Sequence, residues 1–177
     1  PNWIDLKRFT PQDKKAAKRL IGVEGHPFVA LYLGRLIEPK GVLVLLEAAK
    51  EFVGQATFVF AGDGPLAGVL ATHAKVSTNI LFKGKIEPAD LTHYYNAADL
   101  FVLPSQYNEG FATVILESLS CGTPVLVTNK GCVPWYIDKT VGDLIEPTKE
   151  NIVKKIAEYL ERPSELQKKA SFCRLYA

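Results

Sequence analysis

Two carboxylates eight residues apart, Glu109 and Glu117, bracket the segment Glu109-Gly110-Phe111-Ala112-Thr113-Val114-Ile115-Leu116-Glu117. Its apolar positions predict a helix from Gly110 to Ser120, stopped by Gly122. The backbone N–H groups of residues 110 to 113 then lack intrahelical acceptors, and such an end attracts phosphate through those donors and the helix dipole. Glu109 would be repelled by a phosphate, so it suits a neutral part of a ligand such as sugar hydroxyls. Eight helical residues span about 12 Å along the axis. Carboxylates acting together on one glycosidic bond stand roughly 5–9.5 Å apart, so this pair suits two ends of a long ligand. The structural alternative makes Glu109 a helix cap and Glu117 a solvated helix residue, because acids favour first turns anyway.

A second constellation is Gly34-Arg35 followed by Lys40. Glycine at a strand end lets a ligand approach the backbone. Arg35 offers a planar fork for phosphate and Lys40 a point charge. A cation at a helix start is locally unfavourable, which points to an anion that offsets it. The alternative is a surface pair with Glu38, which would be weak. Gly62-Asp63-Gly64-Pro65 reads as plain turn chemistry, and Gly84-Lys85-Ile86 as a place where a base could lie on backbone. His26, His73 and His93 have no metal-ligand spacing. Ser105 lies outside any GxSxG elbow, and Cys121 reads as buried and inert.

The elements that must position these residues alternate. Apolar runs at 28–34, 56–61, 79–82, 100–103, 124–128 and 142–145 read as strands. Helical periodicity separates them at 40–50, 66–75, 88–98 and 110–120, and closing helices follow at 151–162 and 164–176. A short basic helix is expected at 13–21. This alternation predicts an α/β fold: a Rossmann-like parallel sheet, apolar throughout its strands because helices cover both faces. Ligands in such sheets sit beyond the strands' carboxyl ends, where Gly34-Arg35, Lys85 and the Ser105–Gly110 stretch all fall.

The 177 residues fit one domain, and net charge +2 gives no bulk attraction for nucleic acid. Three cysteines without a CxxC pair disfavour a disulfide framework or zinc site and fit a reducing, cytoplasmic setting. No apolar run reaches the roughly 20 residues that span a bilayer. With no methionine, position 1 is not a natural start, so the chain is expected to be a piece of something longer.

The order Gly34-Arg35-Leu36, Lys40-Gly41, Ala61-Gly62-Asp63-Gly64-Pro65, Phe82-Lys83-Gly84, Ala97-Ala98-Asp99 with Leu103-Pro104-Ser105, Glu109-x7-Glu117 and Cys121-Gly122-Thr123-Pro124-Val125 resembles the GT4-type retaining glycosyltransferases over roughly residues 28–160. The resemblance implies one half of a GT-B fold, in which two Rossmann-like domains face across a cleft. Residues 28–177 would be the donor-binding domain, residues 1–27 the inter-domain linker and leading helix, and the N-terminal acceptor domain would lie outside this chain. Glu109, Arg35 and Lys40 would be catalytic. Gly34, Gly110, Phe111, Ala112, Thr113, Glu117, Lys85 and Ile86 would bind the donor, with Glu117 on the ribose and residues 85–86 at the base. The donor would be a nucleotide-diphospho-sugar, with no metal or other cofactor, because two cations offset the leaving group. The acceptor would be a saccharide or lipid-linked, bound through the other domain, which could also bring the protein to the inner membrane. A related nucleotide-sugar epimerase, or a non-catalytic nucleotide-sugar-binding domain, is the alternative. Two departures stand out. The loop after the fifth strand reads Gly131-Cys132-Val133-Pro134-Trp135 where the family has Gly-Gly and then Pro-Glu, and Trp3 replaces a glycine in the leading Pro-Asn-Gly-Val-Asp.

Overall fold

The computed structural model describes residues 4–177, so the Pro1-Asn2-Trp3 part of the leading motif lies outside the described residues. Six strands form one sheet: β1 (Val29–Leu33), β2 (Thr57–Ala61), β3 (Ile80–Gly84), β4 (Leu100–Leu103), β5 (Val125–Thr128) and β6 (Gly142–Ile145). Their order is β3-β2-β1-β4-β5-β6 and every pairing is parallel, as the uniformly apolar strands predict. The four inner strands are buried at every residue, whereas the edge strands β3 and β6 are half-buried.

The helices are α1 (Lys14–Leu20), α2 (Val42–Ala49), α3 (Ala67–Val76), α4 (Leu91–Ala97), α5 (Thr113–Ser120), α6 (Val133–Tyr136), α7 (Lys149–Glu161) and α8 (Pro163–Tyr176). Short side chains fix two starts: Asp13 accepts from the Ala16 amide at 2.7 Å, and Thr148 from that of Asn151 at 3.3 Å. Helices α2 and α7 pack together, while α1, α4, α5 and α8 form a second group. Right-handed crossovers on either side of β1 and β4 put the two groups on opposite faces. One core joins them, with Tyr32, Tyr95, Phe58, Phe60 and Phe101 among its largest buried side chains.

Three expectations need correction. The described part of the stretch before Pro11 (residues 4–10), read as a linker, packs onto the domain. Phe9 is buried edge-on to Tyr95, and Arg174 of α8 donates to the carbonyls of Leu6 and Phe9 at 2.8 and 2.6 Å. A single aromatic seated on a distant helix leaves no periodic signal. The helix expected from Lys40 begins at Val42, because Gly41 takes a left-handed φ of +73° after a short 3-10 turn over Glu38–Lys40. The helix expected from Gly110 begins at Thr113, because Ala112 is still extended.

Candidate functional site

Strands β1 and β4 are neighbours whose following chains leave in opposite directions. A crevice therefore opens at their carboxyl ends, where sheets of this order bind ligands. Its walls are the loop after β1 (residues 34–41) and the loop after β4 (residues 104–112). These two are locked together. A Cβ on Gly41 would lie 1.9 Å from the Pro104 carbonyl oxygen, so only glycine permits the approach. Beside it the Gln106 amide donates to the Pro39 carbonyl at 2.8 Å.

That lock delivers Lys40 to Glu109. The ammonium donates to both carboxylate oxygens, at 2.6 and 2.9 Å. The side chains are 13% and 5% exposed, so the pair is largely shielded from water. The Ser105 hydroxyl also donates to Glu109 Oε1, and the ammonium lies 5.0 Å from the Tyr107 ring centroid. Lys40 therefore has an offsetting anion, and it is Glu109 rather than Glu38. Behind Glu109, Gly131 has φ +65° and a Cβ there would stand 2.1 Å from the Glu109 carbonyl oxygen. The next amide, of Cys132, donates to that same oxygen at 2.8 Å.

Arg35 is held by its backbone and not by its charge. Its carbonyl accepts from the Tyr32 hydroxyl at 2.8 Å, and the neighbouring Leu36 amide donates to the Asp63 carbonyl at 2.8 Å. The Gly-Asp-Gly-Pro loop thus clamps the Gly34–Leu36 segment, a role that plain turn chemistry does not convey. Burial, and then the nearby Glu109 charge, push the Tyr32 phenol far above its ordinary range, so it stays a donor. Among the described residues the exposed Arg35 guanidinium has no acidic partner.

Two lobes, of about 300 and 330 Å³, share Leu33, Gly34 and Arg35 and form one groove. The first is walled by Lys40, Glu109 and the run Phe111–Val114, and the second by Gly62, Asp63, Lys85 and Ile86. Each is of the size of small-molecule sites. A comparable cavity of about 350 Å³ lies between Lys139–Thr140 and α8, on the chain leading into β6 and so away from the carboxyl ends of the strands. The groove unites Gly34, Arg35, Lys40, Glu109, Phe111, Ala112 and Thr113 in one lobe and reaches Lys85 and Ile86 in the other.

Gly110 and Glu117 line neither lobe. The reading of Gly110 as the helix opening is corrected with the helix itself. The Ala112 amide donates to the Tyr136 hydroxyl at 3.3 Å. Among the described residues the Gly110, Phe111, Thr113 and Val114 amides meet no protein acceptor, so Ala112 drops out of the expected donor set 110–113 and Val114 joins it; of these, Phe111, Thr113 and Val114 line the lobe. The axial spacing of about 12 Å between the two carboxylates does not apply either, because Glu109 sits on a loop and only Glu117 on a helix. Glu117 accepts from the buried Tyr95 hydroxyl at 2.7 Å. Burial raises its carboxyl above the ordinary glutamate value, against the lowering effect of that hydrogen bond and of Arg8. It is not the freely solvated helix residue of the structural alternative. Cys121 is buried as expected, its thiol pushed up to about 12 by desolvation.

Tyr32, Ser105, Gly131 and Tyr136 complete the site, and sequence reasoning passed over them as site residues. A polar ring in the otherwise aliphatic run Val29–Leu33 was the available signal for Tyr32. Among the described residues no group of three His, Cys, Asp or Glu side chains is placed to chelate a metal, and no helix is long and apolar enough to cross a membrane.

The family model described as "Glycosyl transferases group 1" matches residues 13–172. The putative teichuronic acid biosynthesis glycosyltransferase TuaC of Bacillus subtilis is 35% identical over 149 residues, covering 83% of this chain and 37% of that protein. Among solved structures, sucrose-phosphate synthase from Thermosynechococcus elongatus superposes with a TM-score of 0.87 at 26% identity, over 99% of this chain and 46% of its own. Anabaena Alr3699/HepE, in complex with UDP, superposes with a TM-score of 0.88 at 22% identity, over 98% and 50%. The chain therefore spans between a third and a half of the length of each of these three proteins.

Proposed function

The chain belongs to the group 1 glycosyl transferases, and from that premise we propose that its groove binds a nucleotide-diphospho-sugar as the donor for a retaining sugar transfer. The observation that carries this reading is the single lobe in which the unpaired Arg35, Lys40, the Glu109 carboxylate and the Thr113 and Val114 amides converge. Cations and free amides suit a diphosphate, while a carboxylate beside them suits sugar hydroxyls. The second lobe, with Lys85 and Ile86, takes the nucleoside. A neighbour of the same fold is solved in complex with UDP, which supports a nucleotide as part of the donor.

In the transfer, the bond between the sugar's anomeric carbon and the diphosphate oxygen breaks, and its electron pair leaves with the diphosphate. The acceptor hydroxyl forms the new bond on the same face and passes its proton to a leaving phosphate oxygen. Arg35 and Lys40 stabilise the charge that develops there, in the place a metal would otherwise fill. The acceptor, a saccharide or lipid-linked saccharide, is held in part by chain beyond this domain.

Calorimetric titration with UDP, GDP and ADP tests the reading. One should bind while AMP and NAD do not, and Arg35→Ala should weaken it about tenfold or more, as expected for charge-assisted hydrogen bonds. An Arg35→Ala protein that binds every nucleoside diphosphate like the parent removes the basis of the proposal.

A further inference from the structure

One wall of the Glu109 lobe carries an aromatic ring that continues outward into an aromatic pair. Phe111, which lines the lobe, is 42% exposed, and its ring centroid lies 4.9 Å from that of Tyr136 at an interplanar angle of 37°. Tyr136 is fixed by the Ala112 amide on its hydroxyl. Trp135, beside it on the four-residue α6, is 85% exposed. The turn beneath is anchored by the buried Val133, and the Trp135 amide donates to the Cys132 carbonyl at 3.0 Å. Because the Cys132 amide is itself bonded to the Glu109 carbonyl, the rings and the carboxylate share one frame.

We propose that Phe111, Tyr136 and Trp135 form a subsite for a pyranose ring of the saccharide acceptor. The inference rests on the function proposed above and adds a substrate contact to it. One face of a pyranose presents C–H groups of slight positive charge, which complement the negative face of an aromatic ring, while the ring's hydroxyls stay in water. Rigid aromatic rings provide such contact at little conformational cost. A donor sugar tethered to phosphates at Arg35 and Thr113 lies inside the lobe beside Glu109. Trp135 faces open water and does not line the lobe, so a pyranose that covers it is not the donor sugar held inside, which leaves the acceptor as the saccharide it would meet. The departure from the family's Pro-Glu at Pro134-Trp135 makes this contact particular to chains carrying an aromatic there.

The test uses the chain saturated with its preferred nucleoside diphosphate and titrated with methyl α-D-glucopyranoside and methyl α-D-mannopyranoside, with glycerol as control. Binding is followed by saturation-transfer NMR and by indole fluorescence of Trp135 in a Trp3→Phe background. Saturable binding of a glycoside, with transfer strongest to the protons of one ring face, is expected. Trp135→Ala should weaken it by about 3–10-fold, Trp135→Phe should restore most of it, and nucleotide affinity should not change. Nucleotide binding without glycoside binding overturns the subsite and leaves the function standing, whereas no nucleotide binding at all removes the function and the subsite with it. A Trp135→Ala protein that loses affinity for a nucleotide-sugar relative to the bare nucleotide gives the rings to the donor and overturns the assignment. So does sedimentation showing that Trp135 holds two copies of the chain together.

Discussion

Replacing Glu109 with glutamine should make the protein less stable and yet a tighter binder of nucleoside diphosphate. The change keeps the side chain's shape and its acceptor for Ser105 but removes the charge facing Lys40. Breaking a buried ion pair from one side costs about 3–5 kcal/mol. Here the Lys40 ammonium is 13% exposed and keeps the Tyr107 ring at 5.0 Å, which returns about 1 kcal/mol. A net loss of about 2–4 kcal/mol remains, or roughly 4–16 °C in Tm for a domain of this size. The opposite effect concerns the ligand. In the parent, a phosphate must compete with Glu109 for Lys40, and in the variant it meets an unpaired cation. A charge-assisted hydrogen bond released from that competition contributes about 1.5 kcal/mol, so Kd should fall about tenfold. Urea unfolding gives the first quantity and calorimetry the second, and nucleotide should narrow the stability gap as RT ln(1 + [L]/Kd). A variant that loses stability and nucleotide affinity together would refute the reasoning, because Glu109 would then be supporting the nucleotide site and not competing for its cation.

Two further perturbations separate positioning from burial. Gly131→Ala should cost more than about 2 kcal/mol in urea unfolding, because a left-handed φ costs about 1–2 kcal/mol for a residue with a Cβ and that Cβ meets the Glu109 carbonyl at 2.1 Å. Gly25→Ala, at φ +83° with nothing within 4 Å, should show the conformational cost alone, and equal losses at the two positions would remove Gly131 from the site. Glu117 has a raised folded-state pKa, so its contribution to stability is present below the ordinary glutamate value of about 4.3 and is lost as pH rises through the raised one. Glu117→Gln should therefore gain on the parent in thermal unfolding as pH rises above the ordinary glutamate value, and a pH-independent difference would contradict the burial argument.

The alternation of apolar runs with helical spacing made the sheet, its parallel sense and its covered faces legible before any coordinates. It also placed Arg35, Lys40, Glu109 and Lys85 on one rim, because each follows the end of a strand or opens the element after it. Illegible from spacing was how the loops lean on one another. Gly41 against Pro104 and Gly131 against Glu109 are contacts between segments more than twenty residues apart, and each depends on a missing Cβ, which has no period. The same ignorance misplaced the helix start. Phe111-Ala112 carries the apolar pattern of a first turn, yet Ala112 is extended and its amide belongs to Tyr136.

Those contacts explain why the site is built from loops and still holds its geometry. Loops tied only by their own turns would let Lys40 and Arg35 drift toward any acid nearby. Here Gly41 and the Gln106 amide fix where Lys40 starts, Gly131 and the Cys132 amide fix where Glu109 starts, and Tyr32 and Asp63 fix the Arg35 backbone. With all three backbones anchored, the charges are free to answer a ligand. Lys40 rests on Glu109, while the exposed Arg35 has no acidic partner among the described residues, so the groove stores one cation already paired and one not. A diphosphate that displaces Glu109 from Lys40 would release a carboxylate into the same lobe as its own sugar. Under the proposed function, the residue that neutralises Lys40 would become the one that contacts the donor sugar, and both roles would follow from one shielded ion pair.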